Sequence, residues 1–320
     1  MTRRLVAEIG SCNGDLSLAI DTAQAALDAG AWLVKGQMFQ AATLTTRYAR
    51  TYGYGLNEPD TQYEAFNNAL SYDDWHVVAD ACDGRFFASV FDLEACRDYP
   101  YQWIKVASAD ITYRALIEAA AASGSELILS TGASSTADIH RALSWIPGYR
   151  PTLLACTLTY PCPPDDAHVK RVLTLKDFRL PVGYSDHTEG ELAAHLAFEL
   201  GACMVEKHFT IRPGTGGDND FAIGPVSLRR IVGRVDPVSA AVVEVLGGSG
   251  ELGVRVSELS ALRLARRSPY ATQDIPAGVT VDETNTVMLR PRDGVDAWRL
   301  PLTASVDIRR GTVINDGVAK

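Results

Sequence analysis

A histidine ends each of two short stretches of the sequence, Leu180-Pro-Val-Gly-Tyr-Ser-Asp-His187 and Ala202-Cys-Met-Val-Glu-Lys-His208. Residues 180–184 and 202–205 have the apolar pattern of strands, and residues 189–200 between them have the length and apolar spacing of a helix. This order predicts two neighbouring parallel strands with both imidazoles at the same end. Neutral imidazole is a common ligand of divalent metals, but a single histidine is more often structural, so the spacing leaves both roles open.

The alternation of strands and helices extends over the first four fifths of the chain. Asn13-Gly-Asp15 forms a turn before a helix whose apolar residues, from Leu16 to Leu27, share one face. Eight strands separated by helical segments predict a closed (β/α)8 barrel, the TIM barrel. No Gly-x-Gly-x-x-Gly motif follows a strand, which argues against a dinucleotide-binding sheet. The predicted strands are 5–9, 32–34, 86–90, 103–106, 127–129, 152–155, 180–184 and 202–205.

A change of composition marks the end of the barrel. The glycines of Leu246-Gly-Gly-Ser-Gly250 cannot sustain a helix. The sequence therefore predicts a barrel domain at 1–245, a linker at 246–265 and a small, mostly β domain at 266–320. The short β-like runs of the small domain are 269–271, 279–281, 287–289 and 312–314.

One connection within the barrel, 39–70, is longer than its neighbours. It carries four tyrosines, Tyr48, Tyr52, Tyr54 and Tyr63. Long loops on barrels often cover ligands, whereas an extra helix on the rim would give the same length. The sequence leaves these two alternatives open.

The composition is that of an ordinary globular protein. The chain has 320 residues, a net charge of -9 and 47% hydrophobic residues, enough for a sizeable core. The negative charge argues against nucleic acid or an acidic membrane as a partner. Met1-Thr-Arg-Arg4 runs directly into a predicted strand, without a signal peptide or membrane span, which predicts a cytoplasmic protein. Six scattered cysteines without CxxC spacing predict reduced thiols.

Polar side chains recur at the carboxyl ends of the predicted strands, where barrel enzymes form their active sites. Two lysines among several hydroxyl groups would suit a small phosphorylated acid, since lysine supplies compact charge and serine supplies oriented donors. Each lysine alone is more often a surface residue, so only the shared position points to a ligand. The strand-end groups are Glu8, Lys35, Gln37, Ser89, Lys105, Ser108, Ser130, Ser185, His187, Glu206 and His208.

Short motifs surround these strand ends. They are Ala7-Glu-Ile-Gly10, Val34-Lys-Gly-Gln37, Phe87-Ala-Ser-Val-Phe-Asp92, Lys105-Val-Ala-Ser108, Leu129-Ser-Thr-Gly132 and Cys156-Thr-Leu-Thr-Tyr-Pro161, with the two histidine stretches after them. In these motifs, their order and their spacing, the chain resembles the sialic acid synthase family, which includes N-acetylneuraminate, legionaminate and pseudaminate synthases. The tail, with Arg266-Arg-Ser268 and Leu289-Arg-Pro291, is similar to the family's antifreeze-protein-like (SAF, β-clip) domain.

The resemblance implies a transferase of carbohydrate biosynthesis. Such an enzyme condenses phosphoenolpyruvate with the aldehyde of an open-chain N-acetylated amino sugar and gives a 2-keto-3-deoxy sugar acid and phosphate. The resemblance also implies a divalent cation on His187 and His208, Mn²⁺ first and Mg²⁺ or Co²⁺ as alternatives, which polarises the aldehyde. It further implies a homodimer with domain-swapped SAF domains, in which Arg290 enters the mouth of the partner's barrel.

The resemblance assigns roles residue by residue. The catalytic residues are Glu8, His187 and His208, of which the two histidines are also the metal ligands. The phosphoenolpyruvate-binding residues are Lys35, Gln37, Lys105, Ser108, Ser130 and Ser185, and the sugar-binding residues are Asp110, Tyr160, Asp218 and Arg290. Asp186, next to His187, is a weaker candidate for a group that supports the metal site.

Several positions depart from the family's pattern. A larger residue is usual at Gly36, Leu158 replaces a polar Asn or Ser, and Asp110 stands where Glu is common. We expect these changes around the sugar pocket, so that the acceptor differs from N-acetylmannosamine. Two alternatives stay open at this point: condensation of phosphoenolpyruvate with a phosphorylated or unusual aldose, and a degenerate, non-catalytic sugar-binding protein.

Overall fold

Eight parallel strands close into a barrel in sequence order, with β8 next to β1. The structure, a computed structural model, describes residues 3–10, 12–51, 60–233 and 237–320. The strands are β1 Leu5–Glu8, β2 Leu33–Met38, β3 Phe86–Val90, β4 Trp103–Val106, β5 Glu126–Ser130, β6 Thr152–Ala155, β7 Val182–Asp186 and β8 Val205–His208. The predicted (β/α)8 barrel is confirmed. Because β8 begins later than predicted, His208 is the last residue of its strand instead of following it.

Helices surround the barrel. The first begins where the sequence predicts it, because the Asp15 side chain accepts a hydrogen bond from the Leu18 backbone N–H. None of the helices that the structure describes has the length and apolar character needed to cross a bilayer. The helices are α1 Leu16–Asp28, α2 Ala41–Leu44, α3 Gln62–Phe66, α4 Tyr72–Asp80, α5 Arg114–Ala122, α6 Thr136–Ser144, α7 Arg171–Leu175, α8 Leu192–Glu199, α9 Pro225–Val232, α10 Ala240–Gly247 and α11 Leu259–Leu264.

The inside of the barrel consists of an apolar layer below a polar layer. Side chains two residues apart on a strand share a face, so each apolar residue lies directly below a cavity-lining residue of the same strand. In β7 the lower position is Gly183, where a Cβ would lie only 2.6 Å from Leu154 Cδ2. The glycine therefore makes room for the other apolar side chains. The apolar layer consists of Val6, Leu33, Phe87, Trp103, Ile128, Leu154 and Met204.

The same alternation decides where Asp186 points. Its neighbour Ser185 lines the cavity, so the Asp186 side chain faces the opposite side of the strand. There Asp186 Oδ2 lies 2.9 Å from Lys207 Nζ, and Asp186 Oδ1 accepts hydrogen bonds from Thr188. Asp186 therefore does not support His187, and that hypothesis is wrong.

The tail, residues 266–320, has its own apolar cluster, which includes Val281, Ile308 and Ile314. Strand β9 pairs with β11 and β10 with β12, both antiparallel. Three of the four predicted β runs are strands, whereas Val313 in the fourth run makes only an isolated bridge to Tyr270. The tail strands are β9 Ser268–Ala271, β10 Thr280–Val281, β11 Thr286–Leu289 and β12 Leu302–Thr303.

The long connection 39–70 contains the short helices α2 and α3. Leu44, Gln62 and Phe66 of this segment also line the barrel cavity. The segment therefore contains helices on the rim, as the second alternative predicts, and these helices also form part of the cavity wall. The predicted cover also included Tyr52 and Tyr54, which lie outside the described residues.

Gly36 faces away from the cavity and packs against α4. A Cβ at Gly36 would lie 2.5 to 2.8 Å from three ring atoms of Trp75, whose side chain is fully buried. The tryptophan ring therefore occupies the space that a larger residue would fill. The expectation that Gly36 alters the sugar pocket is wrong. At this position the Trp75 ring of α4 takes the place of a larger side chain, on the side of β2 that faces away from the cavity.

We expect Gly36→Ala to lower the free energy of unfolding by about 1–3 kcal/mol, because the Trp75 ring must move. Urea denaturation of Gly36→Ala, Trp75→Leu and the double variant measures the contact. In the double variant the new methyl group has space, so its loss should be smaller than the sum of the two single losses. Strictly additive losses would show that the two residues do not compete for the same space.

Candidate active site

A cavity of about 170 Å³ opens at the carboxyl ends of the barrel strands, above the apolar layer. Lysine, serine, glutamate and histidine side chains form its floor. Its outer wall is largely apolar and includes Phe39, Phe66, Phe91 and Leu158. Twelve of the predicted site residues line this cavity: Glu8, Lys35, Gln37, Lys105, Ser108, Ser130, Tyr160, Ser185, His187, His208, Asp218 and Arg290.

Glu206 joins the two lysines on the floor. Its Oε1 lies 2.8 Å from Lys105 Nζ and 3.2 Å from Lys35 Nζ, and it accepts a hydrogen bond of 3.1 Å from Ser185 Oγ. Lys35 also forms an ion pair with Glu8. All of these charged groups are buried, so each depends on its partners for the interactions that water would otherwise provide.

The pKa values of the cluster follow from burial and from these partners. Burial alone would lower the pKa of Lys35, but the carboxylates of Glu206 and Glu8 raise it above its usual value. Burial lowers the pKa of Lys105, with Glu206 opposing the change and Lys35 adding to it. Burial alone would raise the pKa of Glu206, but the two lysines hold it well below its usual value. Lys35 and Glu206 are therefore both charged at neutral pH.

Glu8 is held in one orientation on the cavity floor. Its Oε1 accepts hydrogen bonds from the Gly10 backbone N–H, at 2.8 Å, and from Gln37 Nε2, at 3.0 Å. The Glu8 side chain is only 1% exposed. Gln37 therefore positions a carboxylate, in addition to lining the cavity itself.

The two histidines are neutral and lie close together. The Thr157 carbonyl oxygen can only accept a hydrogen bond, so His187 Nδ1, 2.8 Å away, carries the ring proton. The other ring nitrogen, Nε2, is then an acceptor. Burial lowers the pKa of His187 to about 3, and burial followed by the neighbouring His187 lowers the pKa of His208 well below its usual value. Their ring centroids are 5.7 Å apart.

This pair fits a divalent cation. The buried His208 Nδ1 has no hydrogen-bond partner among the described residues, and it lies 3.4 Å from Asp218 Oδ2. Neutral imidazoles with available nitrogens next to a carboxylate are a common donor set for such ions. Within the described ranges, no three or more His, Cys, Asp or Glu residues form a preassembled metal cluster. A cation held by the two histidines would keep coordination positions open for other ligands.

Asp110, a predicted sugar-binding residue, does not line the cavity. Its Oδ1 accepts a hydrogen bond of 2.7 Å from Arg267 Nε, and both side chains are fully buried. The 3-10 turn Ser108–Asp110 leaves Ser108 in the cavity and turns Asp110 toward the tail. Asp110, which stands where the family commonly has glutamate, thus belongs to a contact between barrel and tail and not to the cavity wall.

Arg290 lies over the mouth of its own barrel in this chain. Its backbone bridges to the segment after α2, with its N–H donating to the Leu44 carbonyl and its carbonyl accepting from Thr46 N–H. Its guanidinium nitrogen lies 3.4 Å from Gln62 Oε1. The tail of this chain therefore contributes Arg290 to the wall of the cavity.

Several polar residues that line the cavity were not assigned a role from the sequence, among them Glu206 and Gln62. Glu206 was noted at its strand end, and the strand alternation that places His208 in the cavity also places Glu206 there, so that signal was available. Gln62 had no such signal. It belongs to the long connection 39–70, and only the packing of that segment brings Gln62 beside Arg290.

A closed parallel barrel with this set of polar groups at its carboxyl mouth defines a barrel enzyme, since such enzymes form their sites at this end. The chain belongs to the NeuB family, whose model matches residues 22–246. The resemblance to the sialic acid synthase family is confirmed, and with it the expectation of an enzyme.

Several of the similar proteins are named as acid synthases. The chain is 32% identical over 315 residues to the N,N'-diacetyllegionaminic acid synthase of Legionella pneumophila, covering 92% of this chain and 87% of the relative. It is 30% identical over 308 residues to the pseudaminic acid synthase of Helicobacter pylori, covering 91% and 89%. The solved structure of the spore coat polysaccharide biosynthesis protein SpsE of Bacillus subtilis matches with a TM-score of 0.79 and 26% identity, covering 98% and 94%.

Proposed function

We propose that this enzyme condenses phosphoenolpyruvate with the aldehyde of an open-chain N-acetylated amino sugar. A carbon–carbon bond forms between the methylene carbon of phosphoenolpyruvate and the aldehyde carbon. Water adds to the adjacent carbon, whose bond to the phosphate oxygen breaks, so the products are a 2-keto-3-deoxy sugar acid and phosphate. The observation that carries the proposal is a single cavity with two buried lysines and two neutral imidazoles.

The cavity floor supports an anion subsite. Lys35 and Lys105 supply charge, and Ser89, which already accepts a hydrogen bond of 2.9 Å from Lys35, lies beside them. Ser130 Oγ is buried without a hydrogen-bond partner among the described residues, so its hydroxyl is available to a ligand. A phosphate or carboxylate that binds here would take over lysine contacts that Glu206 now makes.

The opposite side of the floor supports the reaction with the aldehyde. A divalent cation bound to His187 and His208 would supply Lewis-acid polarisation of the aldehyde oxygen. Glu8, fixed by Gly10 and Gln37, is the carboxylate that we assign to proton transfer near the reacting centre. Since these groups share one cavity, the site retains what catalysis requires, which argues against a degenerate binding protein.

The outer part of the cavity favours an acceptor without a phosphate group. Among the described lining residues, Arg290 is the only lysine or arginine beyond the two on the floor. A sugar phosphate would need a second cluster of cations. Tyr160 and Asp218 offer polar contacts to a sugar, whereas Leu158 offers none. We therefore assign an uncharged amino-sugar aldehyde to this end of the cavity.

Incubation with phosphoenolpyruvate and a panel of amino-sugar aldehydes should release one phosphate per product, each product three carbons longer than its acceptor. In isotope-labelled water, the label should enter the keto acid, because the carbon–oxygen bond breaks. Mass spectrometry of both products locates the label. Label in the phosphate would show attack at phosphorus, and turnover confined to phosphorylated aldoses would favour the alternative acceptor.

We expect His187→Ala or His208→Ala to lower kcat at least about 100-fold with little change in thermal unfolding, because each removes a metal ligand from a cavity and not core volume. Chelator treatment should give the same loss, and added Mn²⁺ should restore activity to the wild-type enzyme alone. His195→Ala, a buried histidine that does not line the cavity, is the control. Full activity after chelation would exclude the metal.

We also propose that residues 266–320 are a SAF domain and that two chains exchange these domains in a homodimer. In the chain described here, Arg290 and Arg267 contact the barrel of the same chain. An exchanged dimer would have to make equivalent contacts with the partner's barrel. The glycines at 247, 248 and 250 give the chain a point at which its direction can change.

Mixing two inactive variants, His208→Ala and Arg290→Ala, after reversible dissociation tests the exchange. In an exchanged mixed dimer, one barrel keeps His208 and receives an intact Arg290, so about half of a wild-type dimer's activity should return. If Arg290 acts on its own barrel, neither site is complete and no activity returns. Native mass spectrometry must show that mixed dimers have formed.

A further inference from the structure

Glu258, in the linker, is a fully buried carboxylate that forms no ion pair with a described residue. Instead it accepts hydrogen bonds from three backbone N–H groups. Its Oε1 accepts from Ala133 and Leu158, both at 2.7 Å, and its Oε2 accepts from Arg255 at 2.8 Å. Hydrogen bonds to an ionised acceptor are stronger than those between neutral groups, so Glu258 fixes these backbone segments firmly.

One of these contacts leads directly to His187. The Leu158 N–H and the Thr157 carbonyl belong to the same peptide unit, which is planar. Glu258 holds the N–H of this unit, and the carbonyl accepts the hydrogen bond from His187 Nδ1 at 2.8 Å. A hydrogen bond at one end of a peptide unit strengthens the acceptor at the other end. The linker carboxylate therefore acts on the imidazole through one rigid group.

The other contact holds the loop after β5. Ala133 has a left-handed backbone conformation, with φ of 51°, which is unfavourable for a residue with a Cβ. Glu258 accepts from its N–H, and Arg266 donates to its carbonyl at 2.6 Å. In the same loop, the Gly132 N–H donates to Ser108 Oγ at 3.0 Å. The Ser108 hydroxyl in turn donates to Cys156 Sγ, 3.5 Å away. Glu258 Oε1 thus holds both the loop after β5 and the segment that contains Leu158.

We propose that Glu258 is a positioning residue of the active site, which fixes the tautomer and orientation of His187 through the 157–158 peptide unit and joins the linker to the loop that follows Ser130. Its effect on turnover rests on the proposed function, whereas its effect on the imidazole does not. No basic residue could replace it, because the three N–H groups all require an acceptor.

The test uses full-length, metal-free protein with ¹⁵N-labelled histidine. Long-range ¹H–¹⁵N correlation spectra near neutral pH report which ring nitrogen carries the proton, and His187→Ala assigns the signal. In the wild type, His187 should be the Nδ1–H form. In Glu258→Ala the signals should shift toward a mixture of tautomers, Mn²⁺ affinity should fall about tenfold, as for other residues that orient metal ligands, and kcat should fall at least about tenfold.

Arg266→Met is the matched control, because it loosens the same loop at Ala133 without touching the 157–158 peptide unit. Its His187 signals and Mn²⁺ affinity should stay at wild-type values. If circular dichroism shows that Glu258→Ala does not fold, Glu258→Gln replaces it and should shift the signals in the same direction, since an amide oxygen is a weaker acceptor.

Unchanged His187 signals in the folded Glu258 variant would overturn the proposal, as would an equal shift in Arg266→Met. The spectra require neither phosphoenolpyruvate nor a sugar. A wild-type protein without condensation activity but with the expected shift would therefore contradict only the proposed function.

Discussion

The buried contact between Glu206 and the two lysines is the constraint on which the rest of the site depends. Lys35 and Lys105 share one carboxylate oxygen inside the barrel, where water cannot solvate them. Removal of one partner from such a group typically costs about 3–5 kcal/mol, because the remaining charge stays buried. The layer below is apolar, so the charges are confined to the carboxyl end of the barrel.

Buried charged groups of the linker and tail also require partners, and these partners belong to the barrel. Arg267 is buried against Asp110, and Glu258 is buried against backbone N–H groups. Neither side chain could be buried without these partners. Polar contacts of fixed geometry therefore join the linker and tail to the barrel and position the tail over the mouth.

The outer part of the cavity differs in character from the floor. Phe39 packs edge-on against both Phe66 and Phe91, and the three rings form an apolar wall. Leu158 belongs to an apolar cluster with Ala261 and Ala265 of the linker region, so its side chain packs against the linker as well as lining the cavity. The loss of a polar group at Leu158 is thus compensated by packing, while Tyr160, Asp218 and Arg290 place polar groups along the cavity.

The sequence by itself determined the barrel and most of the site, because both follow from local periodicity. Strand and helix patterns fix where each strand ends, and in a closed parallel barrel all of those ends meet, so residues such as Lys35 and His187 had to converge. The tertiary structure alone decided what Asp110, Gly36 and Glu258 contact. Their contacts with Arg267, Trp75 and the 157–158 peptide unit join elements distant in sequence, and no local pattern encodes which side chains meet when those elements pack.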